Sequence, residues 1–196
     1  MDQPHRLQPI PPSQLTADQR ALFDDIVASI GVDLDATHSF VSQNEDGAFV
    51  GPFNGWIHSP ITGAAIWNVI KEMRRDEKLP QNLRQIAIVT TGSHFKANYE
   101  VYAHASMARQ YFSEEQVNAL ATGALPHGFK SEEELVYKFT KALVQGGPLA
   151  DNIYAEGVKV LGEPKVIELI FLVGLYSLVS MCLNGFNVPV PATPWN

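Results

Sequence analysis

The stretch PQNLRQIAIVTTGSHFKANYEVYAHASMARQ, residues 80–110, decides how this chain is read. Pro80 suits the first turn of a helix, where its missing N–H is not needed, and Leu83, Ile86, Ala87 and Val89 then give that helix an apolar side. Farther on, Glu100 and His104 stand four apart. On a helix this spacing puts both on one face, one turn apart, with Ala97, Met107 and Ala108 sharing or bordering that face. A carboxylate beside an imidazole, flanked by small residues, is what general acid/base chemistry requires. The Glu orients and charge-stabilises the ring, the His moves a proton near neutral pH, and the small neighbours leave space for a substrate. A Glu–His pair that only stabilises a solvated helix has the same spacing and is worth about 0.2–0.5 kcal/mol, so spacing alone does not separate the two.

Outward from this stretch the punctuation is helical. Thr16 with Gln19 makes a capping box, followed by Leu22, Ile26 and Ile30 at helical spacing. Ser59-Pro60 opens a helix over roughly 60–75. Ser113 with Gln116 caps a short helix ending near Gly123, and Ser131 with Glu134 caps a longer one carrying Leu135, Phe139 and Leu143. Another runs from about Asp151 to Leu161 and stops at Gly162, and Pro164 starts the last. No run alternates apolar and polar residues over six or more positions, which argues against strands. The expectation is a single all-α domain, residues 1–196, of about seven or eight helices. Seven of the 13 prolines lie in residues 1–12 or 189–196, so both ends are expected as extended arms. Residues 33–58 lack helical periodicity, and the segment GPFNGWIHSP (51–60) within and just beyond them has the composition of a loop that folds over a pocket. Phe53, Trp56 and Ile57 can equally fill a core.

Composition excludes several roles. At 196 residues, 45% apolar and 18% charged, the chain can bury a sizeable core. Lys and Arg total 14 against 21 Asp and Glu, and no basic run is present, so no nucleic-acid partner is expected. The single cysteine, Cys182, cannot form an internal disulfide or a two-thiol redox pair. The first 30 residues lack a basic segment followed by an apolar one, so no signal peptide is expected and the simplest compartment is the cytoplasm. Val166 to Leu183 is apolar except for Glu168 and a few small or hydroxylated residues, but from Leu169 only fifteen uncharged residues precede Asn184. A spanning helix needs about 20, so this segment is expected to be a helix buried on nearly all sides, in part by another subunit, with no membrane partner.

The sequence resembles the carboxymuconolactone decarboxylase-like group within the AhpD-like fold. The likeness runs over most of the chain: LQPIPPSQLTADQRALFDDI (7–26), GPFNGWIHSP (51–60), LPQNLRQIAIV (79–89), YEVYAHASMAR (99–109) and ELIFLVGLYSLVSMCLNGFNVPVP (168–191). Its most specific part is YExYAHxxxAR following LRQxAI. In peroxidase members of this fold a CxxC pair precedes the histidine on the same helix; Ala97 and Glu100 occupy those positions here, so thiol-based peroxide reduction is disfavoured. The resemblance implies an acid/base site with His104 and Glu100 as its central catalytic pair. Many relatives carry a glutamate at the place of Gln85, and a glutamine holds a hydrogen bond but relays no proton. It also implies a homo-oligomer, a trimer or hexamer, and a small organic acid or lactone as ligand, in aromatic compound catabolism.

Loss of CO₂ from a lactone acid leaves a dienolate that must be stabilised and then protonated at carbon. His104 suits the protonation, with Glu100 tuning it. Hydroxyl or imidazole hydrogen bonds from Tyr99, Tyr102 or His58 suit the oxyanion. Asn54, Trp56 and Phe53 are expected to line the ligand and Gln85 to orient it or His104. Isomerisation or dehydration through an enolate would use the same parts. Arg84, Lys96 and Arg109 are the nearby cations for a substrate carboxylate, with the last two more simply read as solvated charges. His94 reads as a loop or capping histidine. No cofactor is expected. A metal held by Glu100, His104 and His58 is the second enzymatic reading, although no HxH, HExxH or ExxH spacing supports it. The rival outside enzymology is a small-molecule binder that has lost turnover, favoured by Gln85.

Overall fold

The computed structural model describes residues 6–33 and 40–191. Among them are nine α-helices and no strand: α1 (Ala17–Asp33), α2 (Pro52–His58), α3 (Pro60–Arg75), α4 (Gln81–Phe95), α5 (Asn98–Ala108), α6 (Glu114–Ala121), α7 (Ser131–Val144), α8 (Asp151–Leu161) and α9 (Glu163–Gly185). The all-α expectation holds. The chain between residues 6 and 11 and from 188 to 191 has no regular structure, as extended arms should; their outer parts, and residues 34–39 of the expected irregular segment, lie outside the described residues.

The chain forms two compact units. The first takes the described residues up to Arg75 and those from Cys182 onward; the second is Asp76–Met181. In the first, α1, α2 and α3 pack on one another. Thr16 and Gln19 close the expected capping box at the start of α1, each backbone N–H meeting the other's side-chain oxygen (3.0 and 3.4 Å). Residues 52–58 are the one sequence expectation of a loop that the structure corrects to a helix. Pro52 supplies the fixed φ of a first turn, Gly51 enters it at a φ of 66°, and Gly63 of α3 lies so close that a Cβ there would sit 2.5 Å from the Trp56 carbonyl oxygen. Tertiary packing rather than periodicity makes this helix, because seven residues are too few to show a period.

The second unit is built around α4, against which α5, α6 and α7 pack. Every residue of α4 from Leu83 to Gly92 is buried, including Arg84, Gln85, Thr90 and Thr91. At α6 the Ser113–Gln116 capping box forms as expected. At α7 the start shifts by one position: Lys130 is the cap, and the buried Glu133, rather than Glu134, accepts the Lys130 N–H at 2.8 Å. The last helix, α9, is only partly covered by the chain itself. It is long and apolar enough by length and composition to cross a membrane, as a core helix also can be, yet only half of its most apolar window is buried. Ile167, Phe171, Leu178 and Met181 form an exposed stripe down one side of it in the single chain. The helix buried all round is α4, which carries more polar residues.

Candidate active site

The polar cluster of the second unit starts from a helix pair. α4 ends at Lys96, which takes the left-handed conformation (φ 54°) and turns the chain into α5. The returning helix lies tightly on α4. A Cβ at Gly92 would fall 3.2 Å from Glu100 Cγ, so the glycine is what lets the first turn of α5 come this near. Gln85, seven residues before Gly92, lies on the same side of α4 two turns earlier. Its carbonyl oxygen is 2.9 Å from His104 Nδ1. On the other side of the ring, His104 Nε2 is 3.1 Å from Glu100 Oε1. The Glu100 side chain is 3% exposed and that of His104 13%, so this is no solvated helix pair.

The geometry constrains the protons. An amide oxygen only accepts, so Nδ1 carries the proton and donates to Gln85. His104 Nε2 and Glu100 Oε1 therefore stand within reach of each other for a proton transfer, while Gln85 fixes which ring nitrogen takes part. The close approach is off the hydrogen-bonding direction, which leaves the buried Glu100 Oε1 without a directed partner. Such an atom is costly in a purely structural role.

The other expected residues are distributed as follows. Tyr99 and Tyr102 stand edge to face beside the pair on α5, ring centroids 5.8 Å apart. Tyr99 is buried, and burial first, then Tyr102 and Glu100, push its phenol well above the ordinary tyrosine range; it stays a neutral hydrogen-bond donor. Arg84, expected as a substrate cation, meets a carboxylate of the same unit. Its guanidinium is buried against Glu168, whose other oxygen accepts the backbone N–H groups of Lys78 (2.6 Å) and Leu79 (2.9 Å). The charge is already neutralised inside the unit. Arg109 makes a two-point surface pair with Glu114 (2.8 and 3.0 Å), Lys96 is the exposed cap of α4, and His94 sits exposed in its last turn.

Phe53, Asn54, Trp56 and His58 belong to the first unit. Phe53 packs edge to face on both Trp56 and Trp67, with centroids 5.3 and 6.2 Å away. The Asn54 amide donates to the Leu7 carbonyl at 3.0 Å, and His58 Nε2 lies 2.9 Å from the Gln8 carbonyl. These two side chains hold the N-terminal arm. An open cavity of 320 Å³ in this unit lies between α1 and α3, lined among others by Asp18, Leu22, Asp25, Pro60 and Ile61, and by none of the expected site residues. Among the described residues no three His, Cys, Asp or Glu side chains are gathered as metal ligands would be.

Two residues of the cluster were not expected. Tyr176 of α9 meets the His104 ring edge to face, centroids 5.1 Å apart and planes at 86°. Nothing in an apolar helix 72 positions away signals that contact. Glu168 had a signal: a lone carboxylate in an apolar run must find a buried cation or donor.

No family model matches the chain, and no curated protein sequence matches it. Among solved structures it is similar to the alkylhydroperoxidase AhpD core of an uncharacterized peroxidase-related protein from Ralstonia eutropha JMP134, with a TM-score of 0.71 and 16% identity over 97% of this chain and 95% of that one. The all-helical fold of this chain is that of the AhpD core.

Proposed function

We propose that the chain is a cofactor-independent acid/base enzyme, resembling carboxymuconolactone decarboxylase, that acts on a small organic acid or lactone through an enolate. The observation that carries this reading is the buried Gln85–His104–Glu100 array, with one ring nitrogen held by an amide and the other 3.1 Å from a buried carboxyl oxygen. In the decarboxylation, the bond from the ring carbon to the carboxylate breaks, CO₂ leaves, and its bonding electrons pass into a dienolate. A proton carried by the His104–Glu100 pair goes to carbon, and a proton taken up from solvent restores it. The neutral phenol of Tyr99, or that of Tyr102, supplies a hydrogen bond to the developing oxyanion. The cation for the substrate carboxylate is not Arg84, which Glu168 occupies. The same parts serve an isomerase.

A peroxidase-related neighbour fits the fold equally well, but a single cysteine gives no two-thiol pair to reduce a peroxide. A second reading, a ligand-binding protein without turnover, draws on one observation: both ring nitrogens of His104 are already engaged within the protein. The exposed apolar stripe of α9 supports self-association as a homo-oligomer, and light scattering on the full chain measures it. The functional test is metal-free turnover of 4-carboxymuconolactone, following substrate loss and CO₂ release, for the native chain and His104→Ala. Turnover by the native chain that disappears in the variant supports the enzyme. Unchanged turnover in His104→Ala overturns the assignment of the chemistry to His104, and ligand binding without turnover favours the second reading.

A further inference from the structure

We propose that Tyr176 is a positioning residue of this site, setting the rotation of the His104 ring that aims Nδ1 at Gln85 and Nε2 at Glu100. Its catalytic consequence rests on the acid/base reading above; its structural content does not. His104 is held in its own plane by one directed hydrogen bond, Nδ1 to Gln85, because the Glu100 approach lies off the hydrogen-bonding direction. One in-plane anchor, the Nδ1 hydrogen bond, is then all that resists rotation of the ring about its bond to Cβ. A perpendicular aromatic partner at 5.1 Å removes that freedom, since rotation would destroy the edge-to-face arrangement. A turned ring would put a carbon where each nitrogen now stands, and Nε2 would leave Glu100.

The placement of Tyr176 is itself anchored. Glu168 lies eight positions earlier on the same helix and ties α9 to the beginning of α4 by three interactions: the Lys78 and Leu79 N–H groups and the Arg84 guanidinium. Arg84 is the neighbour of Gln85. The two helices that grip the imidazole from different directions are thus locked in register next to the gripping residues. This gives the buried ion pair a reason to exist beyond stability, where an apolar pair would do as well.

The test uses the full chain and reads the imidazole directly. Long-range ¹H–¹⁵N spectra report the protonation of each ring nitrogen, and the His104 signals are identified by their loss in His104→Gln. In the native chain Nδ1 and Nε2 of His104 give separate signals of one tautomer. Tyr176→Phe keeps them, because the ring suffices. Tyr176→Leu merges them toward the average of exchanging tautomers while the other histidine signals stay in place. If Tyr176→Leu fails to fold, Tyr176→Met is read in its stead. His104 signals unmoved in the folded Leu or Met variant overturn the proposal, as does a Phe variant that behaves like Leu. Absence of turnover in the native chain would count against the acid/base reading and leave these spectra as they are.

Discussion

His104 and His58 carry the same ring and are used in opposite ways. In the first unit, His58 and its neighbour Asn54 each meet a backbone carbonyl, of Gln8 and Leu7, and so pin the N-terminal arm. In the second unit, His104 meets two side chains, one an amide and one a carboxyl group, both buried. A backbone carbonyl can only accept, so the His58 contact is complete once made. A carboxyl group can accept or give a proton, so the His104 contact remains chemically open. The lesson is that a histidine's partners, more than its presence in a polar motif, mark it for chemistry.

The comparison can be broken most forcefully at α9. Glu168→Ala leaves Arg84 buried without a counter-charge and two N–H groups without their acceptor. Removing one partner of such a pair costs about 3–5 kcal/mol, to be measured by denaturant unfolding. Next comes the helix contact that seats Glu100. Gly92→Ala puts a methyl group 3.2–3.3 Å from Glu100 and Val101 side-chain atoms, and overpacking of this kind costs about 1–3 kcal/mol. It should also lower turnover by displacing Glu100, an effect no first-unit substitution of the same stability cost should share.

The first unit sharpens the contrast from the other side. Asn54→Ala and His58→Ala each lose one hydrogen bond, about 0.5–1.5 kcal/mol, with the larger loss at the buried Asn54. Turnover should stay at the native level in both. The smallest effect is expected at Cys182. Burial raises its thiol above the ordinary range, so less thiolate is present at neutral pH, and alkylation should be slower than for a free cysteine and quicken as the pH rises. Cys182→Ser should leave turnover unchanged.

Much of this was legible in the sequence. Caps at Thr16 and Ser113 and the prolines at 60 and 80 located helix starts because capping is a local event. The Glu100–His104 pair was legible because a helix turns by a fixed angle per residue. What stayed hidden depends on packing between distant segments. The helix of residues 52–58 exists through its contact with α3, Arg84 is lost to a glutamate 84 positions away, and Tyr176 reaches His104 from the far end of the chain. The position of the α9 stripe was not legible, because hydropathy counts apolar residues and does not say which side of a helix the chain itself covers.

The central claim is that His104, and not His58, does the chemistry. Metal-free turnover of 4-carboxymuconolactone by the native chain, His104→Ala and His58→Ala tests it in one experiment. The account predicts release of CO₂ by the native chain and His58→Ala and none above background by His104→Ala. Turnover that survives in His104→Ala, or is lost in a folded His58→Ala, would contradict it.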